Sequence, residues 1–213
     1  MSELDQQVET FKQNIIGSGY VLDPEGTHHE FVSGMHGRKL DFDNIEDDSL
    51  LYREWVDVNA SFLRENYLEL PRFVLGVANG TNRLSRDVAS RFEDSEILGF
   101  ETEKDPNNSK VIGLTHRAFK FINIMRPQFV LVLEDVGTTG SNSVQAAVAA
   151  KEAGAQRVEV LTTWKRRENL EKLDEKDIPH QAIIDQVLPT YSAEECVIKG
   201  FCAKNWEFIP RDK

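Results

Sequence analysis

The chain of 213 residues carries 36 acidic against 25 basic side chains, for a formal charge of -11, with 40% hydrophobic and 29% charged residues. That length supports one sizeable hydrophobic core, and the composition argues against a disordered or fibrous protein. The acidic excess argues against a surface built to grip nucleic acid, which needs clustered Lys and Arg, and no apolar run approaches the roughly 20 residues of a membrane span.

The opening segment, Met1 to Asn14, lacks the basic and apolar regions of an export signal, so the reading is a soluble cytoplasmic protein with no membrane partner. From Glu3 to Ile16, Leu4, Val8, Phe11 and Ile15 recur at spacings of three and four, which predicts an amphipathic helix. Phe31 to Asp43 follows, where Gly34 and Gly37 interrupt alternating residues; a short hairpin or loop is expected there, placed to cover a site. Ser49 to Asn66 reads as a second helix with Leu51, Trp55, Val58 and Phe62 on one side and Ser49 as its cap. The acidic patch Glu46-Asp47-Asp48 reads as a solvated approach to it.

After Pro71 short apolar runs alternate with helical patterns, the rhythm of repeated βα units and of a parallel sheet. The runs are Phe73 to Ala78, Ile97 to Phe100, Val111 to Leu114, Phe129 to Leu133, Arg157 to Thr163 and Ala182 to Leu188. Helical patterns fall at Arg83 to Phe92, Arg117 to Met125, Ser141 to Ala153 and Ser192 to Lys199. The fold class is therefore α/β in a single domain over 1–213. Its expected parts are N-terminal helices and a flap over 1–70, an α/β core over 71–190, and a C-terminal helix and tail over 191–213. Cys196 and Cys202 do not match a Cys-x-x-Cys half-site and read as structural thiols rather than metal or redox residues.

One segment carries the chemistry. Phe129 to Leu133 is apolar at both parities, as a central strand buried on both faces would be, and Glu134 and Asp135 stand at its end. Val136-Gly137-Thr138-Thr139-Gly140 then leads into a helix opening on Ser141 and Asn142, with Gly154 placed to end it. Gly137 and Gly140 let backbone N–H groups converge on an anion, Thr138, Thr139 and Ser141 add hydroxyls, and the helix points its positive end at the same spot. Such a pocket suits a phosphate monoester, and the neighbouring carboxylates suit sugar hydroxyls or a Mg²⁺ held partly through water.

This arrangement of apolar strand, two acids and a Thr-Thr-Gly loop closely resembles the phosphoribosyl pyrophosphate motif of type I phosphoribosyltransferases. Gly137 stands where a larger aliphatic residue is common there, and Ser141 and Asn142 where Gly and Thr are common. The resemblance extends over most of the chain and is strongest toward the orotate branch. Ser33-Gly34-Met35-His36 looks like a segment near the start of those enzymes, and Phe73 to Thr81 looks like their pyrophosphate-loop strand. The resemblance implies a mainly parallel sheet flanked by helices, with a small hood from the N- and C-terminal segments.

It also implies site roles. Glu134 and Asp135 would hold the ribose hydroxyls and Mg²⁺, with Lys104 as a third catalytic group. Val136, Gly137, Thr138, Thr139, Gly140, Ser141 and Asn142 would bind the 5′-phosphate. Asn79, Gly80 and Thr81 would present amides to the pyrophosphate, helped by Lys110. Arg166, Ser33 and Lys39 would meet the base. Lys165 stands where the orotate enzymes carry an acid beside that arginine, and the segment in the place of their mobile basic loop, Glu101 to Lys110, holds only two lysines, with His116-Arg117 shortly after it.

The implied function is transfer of ribose 5-phosphate from phosphoribosyl pyrophosphate to a base, orotate or a related pyrimidine, in a Mg²⁺-dependent homodimer. Two readings stay beside it: a non-catalytic sensor of phosphoribosyl pyrophosphate, and another phosphosugar enzyme on the same fold.

Overall fold

The structure is a computed structural model that describes residues 2–31, 34–78, 80–92, 96–126 and 129–210. In chain order the elements are α1 (Glu3–Ser18), β1 (Thr27–Glu30), β2 (Met35–Gly37), a 3-10 turn (Phe42–Asp47), α2 (Ser49–Asn66), β3 (Phe73–Gly76) and α3 (Asn82–Ser90). Then come β4 (Leu98–Asp105), β5 (Asn108–Leu114), α4 (His116–Met125), β6 (Phe129–Gly137), α5 (Ser141–Glu152) and β7 (Arg157–Lys165). The chain closes with α6 (Glu171–Asp174), β8 (His180–Asp185), β9 (Thr190–Ser192), α7 (Ala193–Lys199), a 3-10 turn (Cys202–Lys204) and β10 (Glu207–Ile209).

The core is a six-stranded sheet in the order β5-β4-β3-β6-β7-β8. All its pairs are parallel except β4 with β5. β6 is central and its run Phe129 to Leu133 is fully buried. Its two parities feed two cores, because Phe129, Leu131 and Leu133 pack on the face that holds Trp55 and Leu63 of α2, while Val130 and Val132 pack on the face that holds Ala146 and Ala150 of α5. A strand covered on both sides has to be apolar at every position. The alanines of α5 let that helix lie close against the sheet.

From β3 the chain moves to β4 on one side, and from β6 to β7 on the other, so the strand order reverses between β3 and β6. In open α/β sheets this is where a ligand crevice opens beyond the carboxyl ends of the strands. A second sheet, β10-β1-β2-β9, is built from the two ends of the chain and forms the expected hood.

Three expectations are corrected. The cap of α2 is Asp48, whose Oδ1 accepts from the amides of Leu50 and Leu51 at 3.0 Å each, so Ser49 lies inside the helix and one member of the acidic patch has a structural task. The segment 101–110 is a β-hairpin rather than a loop, with Thr102 paired to Leu114 and Asp105 to Asn108. The strand at the chemical segment continues through Glu134 and Asp135 to Gly137, so Val136 and Gly137 pair with Trp164 and Lys165 of β7 instead of belonging to the turn.

Candidate functional site

Two helices begin at the reversal point, and they share a property. The Ser2, Asp48, Thr115 and Ser192 side chains cap α1, α2, α4 and α7, whereas α3 and α5, like the one-turn α6, have no side-chain cap. The first-turn amides of α-helices have no intrahelical acceptor. At these two heads the amides and the positive end of the helix dipole are thus available to an anion.

The head of α5 follows β6 through Thr138, Thr139 and Gly140. Gly140 is left-handed at φ 77, and a β-carbon there would meet Leu173 Cγ at 2.8 Å. Thr139 accepts from the Lys172 amide through its carbonyl at 2.9 Å, so α6 braces the loop from behind. On the other side Thr139 Oγ1 and Ser141 Oγ lie 2.8 Å apart. Thr138 through Asn142 therefore offer amides and hydroxyls that could meet an anion at this helix head. Gly137 is sized for Thr162 and Leu170, which a β-carbon would meet at 3.0 and 3.1 Å.

The head of α3 departs from expectation at Thr81. Its side chain is buried and donates to the Leu133 carbonyl at 2.6 Å, while its amide donates to the Val77 carbonyl at 3.2 Å. Thr81 thus pins the turn after β3 to β6 and has no amide left for a ligand. Gly80 does face the site, since a β-carbon on it would lie 2.8 Å from Asp135 Oδ2 and 3.5 Å from Asp43 Oδ1. Asn79 and Ser33 lie outside the described residues.

The two acids of β6 have unlike surroundings. Glu134 is buried and accepts a hydrogen bond from Ser143 Oγ of α5, and loss of hydration pushes its carboxyl up to about 8. That bond ties the strand end to the first turn of α5, and the raised value favours the neutral carboxyl near pH 7. Asp135 is pushed up to about 6, first by burial, with Asp43 and Asp41 adding like-charge repulsion. Asp41 and Asp43 belong to the flap and were not singled out from the sequence. Their signal was the alternation of buried Leu40 and Phe42 with two acids facing the other way.

Glu134 yields a stability prediction with a definite sign. A carboxyl whose folded value lies above its unfolded value contributes stability that is fully present below about pH 4.5 and is lost as pH rises through about 8. In thermal melts, wild type should lose stability between pH 5 and 8, and Glu134→Gln should flatten that slope and melt several degrees higher than wild type at pH 8. Parallel pH profiles for the two proteins would refute a neutral Glu134.

Arg166 sits at the carboxyl end of β7 and is buried, with its amide donating to the Gly137 carbonyl at 3.1 Å. Its guanidinium donates to the Arg38 carbonyl at 3.2 Å and stands over the Phe31 ring at 4.9 Å, so the hood covers it. Burial, then the Arg167 charge, pushes it down to about 10, which leaves it cationic. No carboxylate pairs with it among the described residues, and a buried cation in that state favours an anionic ligand. Lys39, by contrast, pairs with Asp41 at 2.5 Å and is exposed, so it belongs with the acidic cluster and not with Arg166. Lys165 pairs with Asp185 at 2.7 Å. Lys104 and Lys110 are exposed on the β4–β5 hairpin, and no ion pair joins either to Glu134 or Asp135 among the described residues.

A broad cleft of about 980 Å³ opens at the opposite end of the sheet, lined by Tyr67, Glu69, Arg157 and Glu159. Arg157 already pairs with both Glu69 and Glu159 there, so that cleft has no unmatched charge of the kind found at Arg166.

No protein-family model and no curated protein matches the chain. Among solved structures it is similar to an orotate phosphoribosyltransferase from Aeropyrum pernix, at 16% identity and TM-score 0.60, over 90% of this chain and 96% of that one. It is also similar to an adenine phosphoribosyltransferase from Saccharomyces cerevisiae, at 13% identity and TM-score 0.58, over 84% of this chain and 99% of that one. A third is the Mycobacterium tuberculosis orotate phosphoribosyltransferase in complex with 5-phospho-alpha-D-ribosyl 1-diphosphate, at 14% identity and TM-score 0.53, over 85% and 87% of the two chains. At these identities the likeness establishes the fold, which is that of the type I phosphoribosyltransferases.

Proposed function

We propose, from this fold and from two uncapped helix heads beside an acidic cluster, that the protein is a Mg²⁺-dependent phosphoribosyltransferase. In this reading it transfers ribose 5-phosphate from phosphoribosyl pyrophosphate to a base, orotate or a related pyrimidine, and releases pyrophosphate. The observation that carries the reading is the convergence, at the β3/β6 reversal, of the α5 head, Gly80 and Asp135.

The 5′-phosphate rests on the amides and hydroxyls of Thr138 to Asn142, and the pyrophosphate lies beside Gly80 at the head of α3. Asp135 holds the ribose hydroxyls and offsets positive charge that builds at the anomeric carbon as pyrophosphate leaves. Asp135 and Asp43 both border Gly80, and they would hold Mg²⁺ through water and substrate oxygens rather than as a preformed ligand set. The ion supplies neutralisation of the leaving pyrophosphate. Lys104 and Lys110 on the hairpin are the cations assigned to the same leaving group. Arg166 selects an acceptor that carries a negative charge, which supports orotate over neutral bases. No described helix is long and apolar enough to cross a membrane. The exposed Phe119, Ile124 and Met125 of α4 support assembly with a second copy of the chain.

The test is release of pyrophosphate from phosphoribosyl pyrophosphate with Mg²⁺ against orotate, uracil, adenine and other bases. Turnover with an acidic pyrimidine, lost on chelation of Mg²⁺, is expected. Saturable binding of the donor without release for any acceptor would instead establish a sensor.

A further inference from the structure

The hood joins four side chains that the sequence keeps far apart. His28 lies on β1 and His36 on β2, and the pairing of Glu30 with His36 puts both imidazoles on one face of the sheet, with ring centroids 5.6 Å apart. Cys196 comes from α7, which packs on β2, and Cys202 from the 3-10 turn that follows. His28 Nε2 is 3.2 Å from Cys202 Sγ, and His36 Nδ1 is 3.6 Å from the same sulfur. One ligand atom from each of the four residues lies within 4.8 Å of all the others. Both cysteines are free thiols.

We propose that these four side chains form a structural zinc site of the Cys₂His₂ type that fastens the C-terminal segment to the N-terminal hairpin. A tetrahedral zinc with Zn–S of about 2.3 Å and Zn–N of about 2.0–2.1 Å sets its ligand atoms roughly 3.3–3.8 Å apart. Of the two imidazole–sulfur separations, 3.6 Å falls in that range and 3.2 Å lies just below it, and the widest pair needs to close by roughly 1 Å. The donor set of two thiolates and two imidazoles is the one zinc takes in closed structural sites, with no position left for a substrate.

The surroundings favour a metal over a simple hydrogen-bonded cluster. His28 and Cys196 are fully buried and His36 nearly so. His28 Nε2 faces only a thiol, a weak hydrogen-bonding group, and Nδ1 lies toward the Glu207 backbone without a hydrogen bond of full geometry. Phe201 and Phe208 close over His28 at 5.5 and 5.3 Å and keep water out. The hood strands have only three or four residues each, so few backbone pairs join the two ends of the chain. A metal would add a cross-link between them, with both thiols losing their protons to solvent as it binds. Because β2 leads into Arg38, whose carbonyl meets Arg166, the site also fixes the roof over the acceptor side, a consequence that rests on the proposed function. The sequence alone reads both cysteines as structural thiols, and the proposed site would give them a ligand as well.

Metal binding is read without any activity. The full chain, prepared without a histidine tag and dialysed, should retain about one zinc per chain by mass spectrometry of the metal. Cys196→Ser combined with Cys202→Ser should reduce this at least tenfold. Cobalt added to the chelator-treated wild-type chain should give the visible absorption of a tetrahedral ion and a near-ultraviolet thiolate band, both displaced by zinc. The wild-type cobalt spectrum decides the matter even where the double variant does not fold. Wild-type protein with neither zinc nor a tetrahedral cobalt spectrum would overturn the proposal, as would a folded double variant with undiminished zinc.

Discussion

Asp135→Asn should lower kcat/KM for phosphoribosyl pyrophosphate by on the order of 10²-fold or more, the largest loss expected of any single carboxyl in the protein. The change keeps size and hydrogen-bonding shape but removes a β6 carboxylate at the site, pushed up to about 6 by burial and by Asp43 and Asp41. Two charges are at stake, the cation beside the leaving group and the developing positive charge on the ribose, so the loss should fall mainly on kcat. For the same reason Mg²⁺ should bind wild type more weakly as pH falls below about 6 and Asp135 takes up its proton, whereas the Asn variant should show weak binding with no such pH dependence. Steady-state kinetics with a Mg²⁺ titration at several pH values checks both. Activity within a few-fold of wild type would remove Asp135 from the mechanism.

Gly140→Val should act on the other half of the donor site. Gly140 adopts φ 77, where a β-branched side chain is strained, and its β-carbon would press on buried Leu173 at 2.8 Å. The loop would have to leave its place at the head of α5, which moves the amides that meet the phosphate. A cost of about 1–3 kcal/mol at this point corresponds to a rise of roughly 10- to 100-fold in KM for the donor, with a smaller change in kcat. The hood and the far end of the sheet should be untouched, so zinc content should remain that of wild type. Unchanged donor affinity in a folded variant would show that the cradle lies elsewhere.

The framework of the candidate site was legible because its signals are local. A five-residue apolar run bounded by turn residues fits a doubly covered strand, and two acids followed by a small-residue turn and a helix start are contiguous in the chain. The departures have a common cause, since each depends on which way a side chain turns or on what a distant segment brings. Thr81 carries a hydroxyl that serves a ligand or the core equally well, and only the placement of β6 beside the turn commits it to the Leu133 carbonyl. The acids and lysines of 101–110 read as a mobile loop, yet Thr102 points inward to hold the Gly76 carbonyl at 2.8 Å, and the segment is a hairpin built outward from that residue. Asp43 reaches Asp135 across some ninety positions of sequence. His28 and Cys202 meet across a still longer interval, on strands too short to announce themselves by periodicity.

The central claim is that the head of α5, Gly80 and Asp135 form one site for phosphoribosyl pyrophosphate with its metal. Calorimetric titration of the protein with phosphoribosyl pyrophosphate, with Mg²⁺ and again with the metal chelated, tests it most directly. Saturable binding at about one ligand per chain is expected, weakened by chelation and by Asp135→Asn, and weakened further by Gly140→Val. No saturable heat in the presence of Mg²⁺, or binding that both substitutions leave intact, would contradict it.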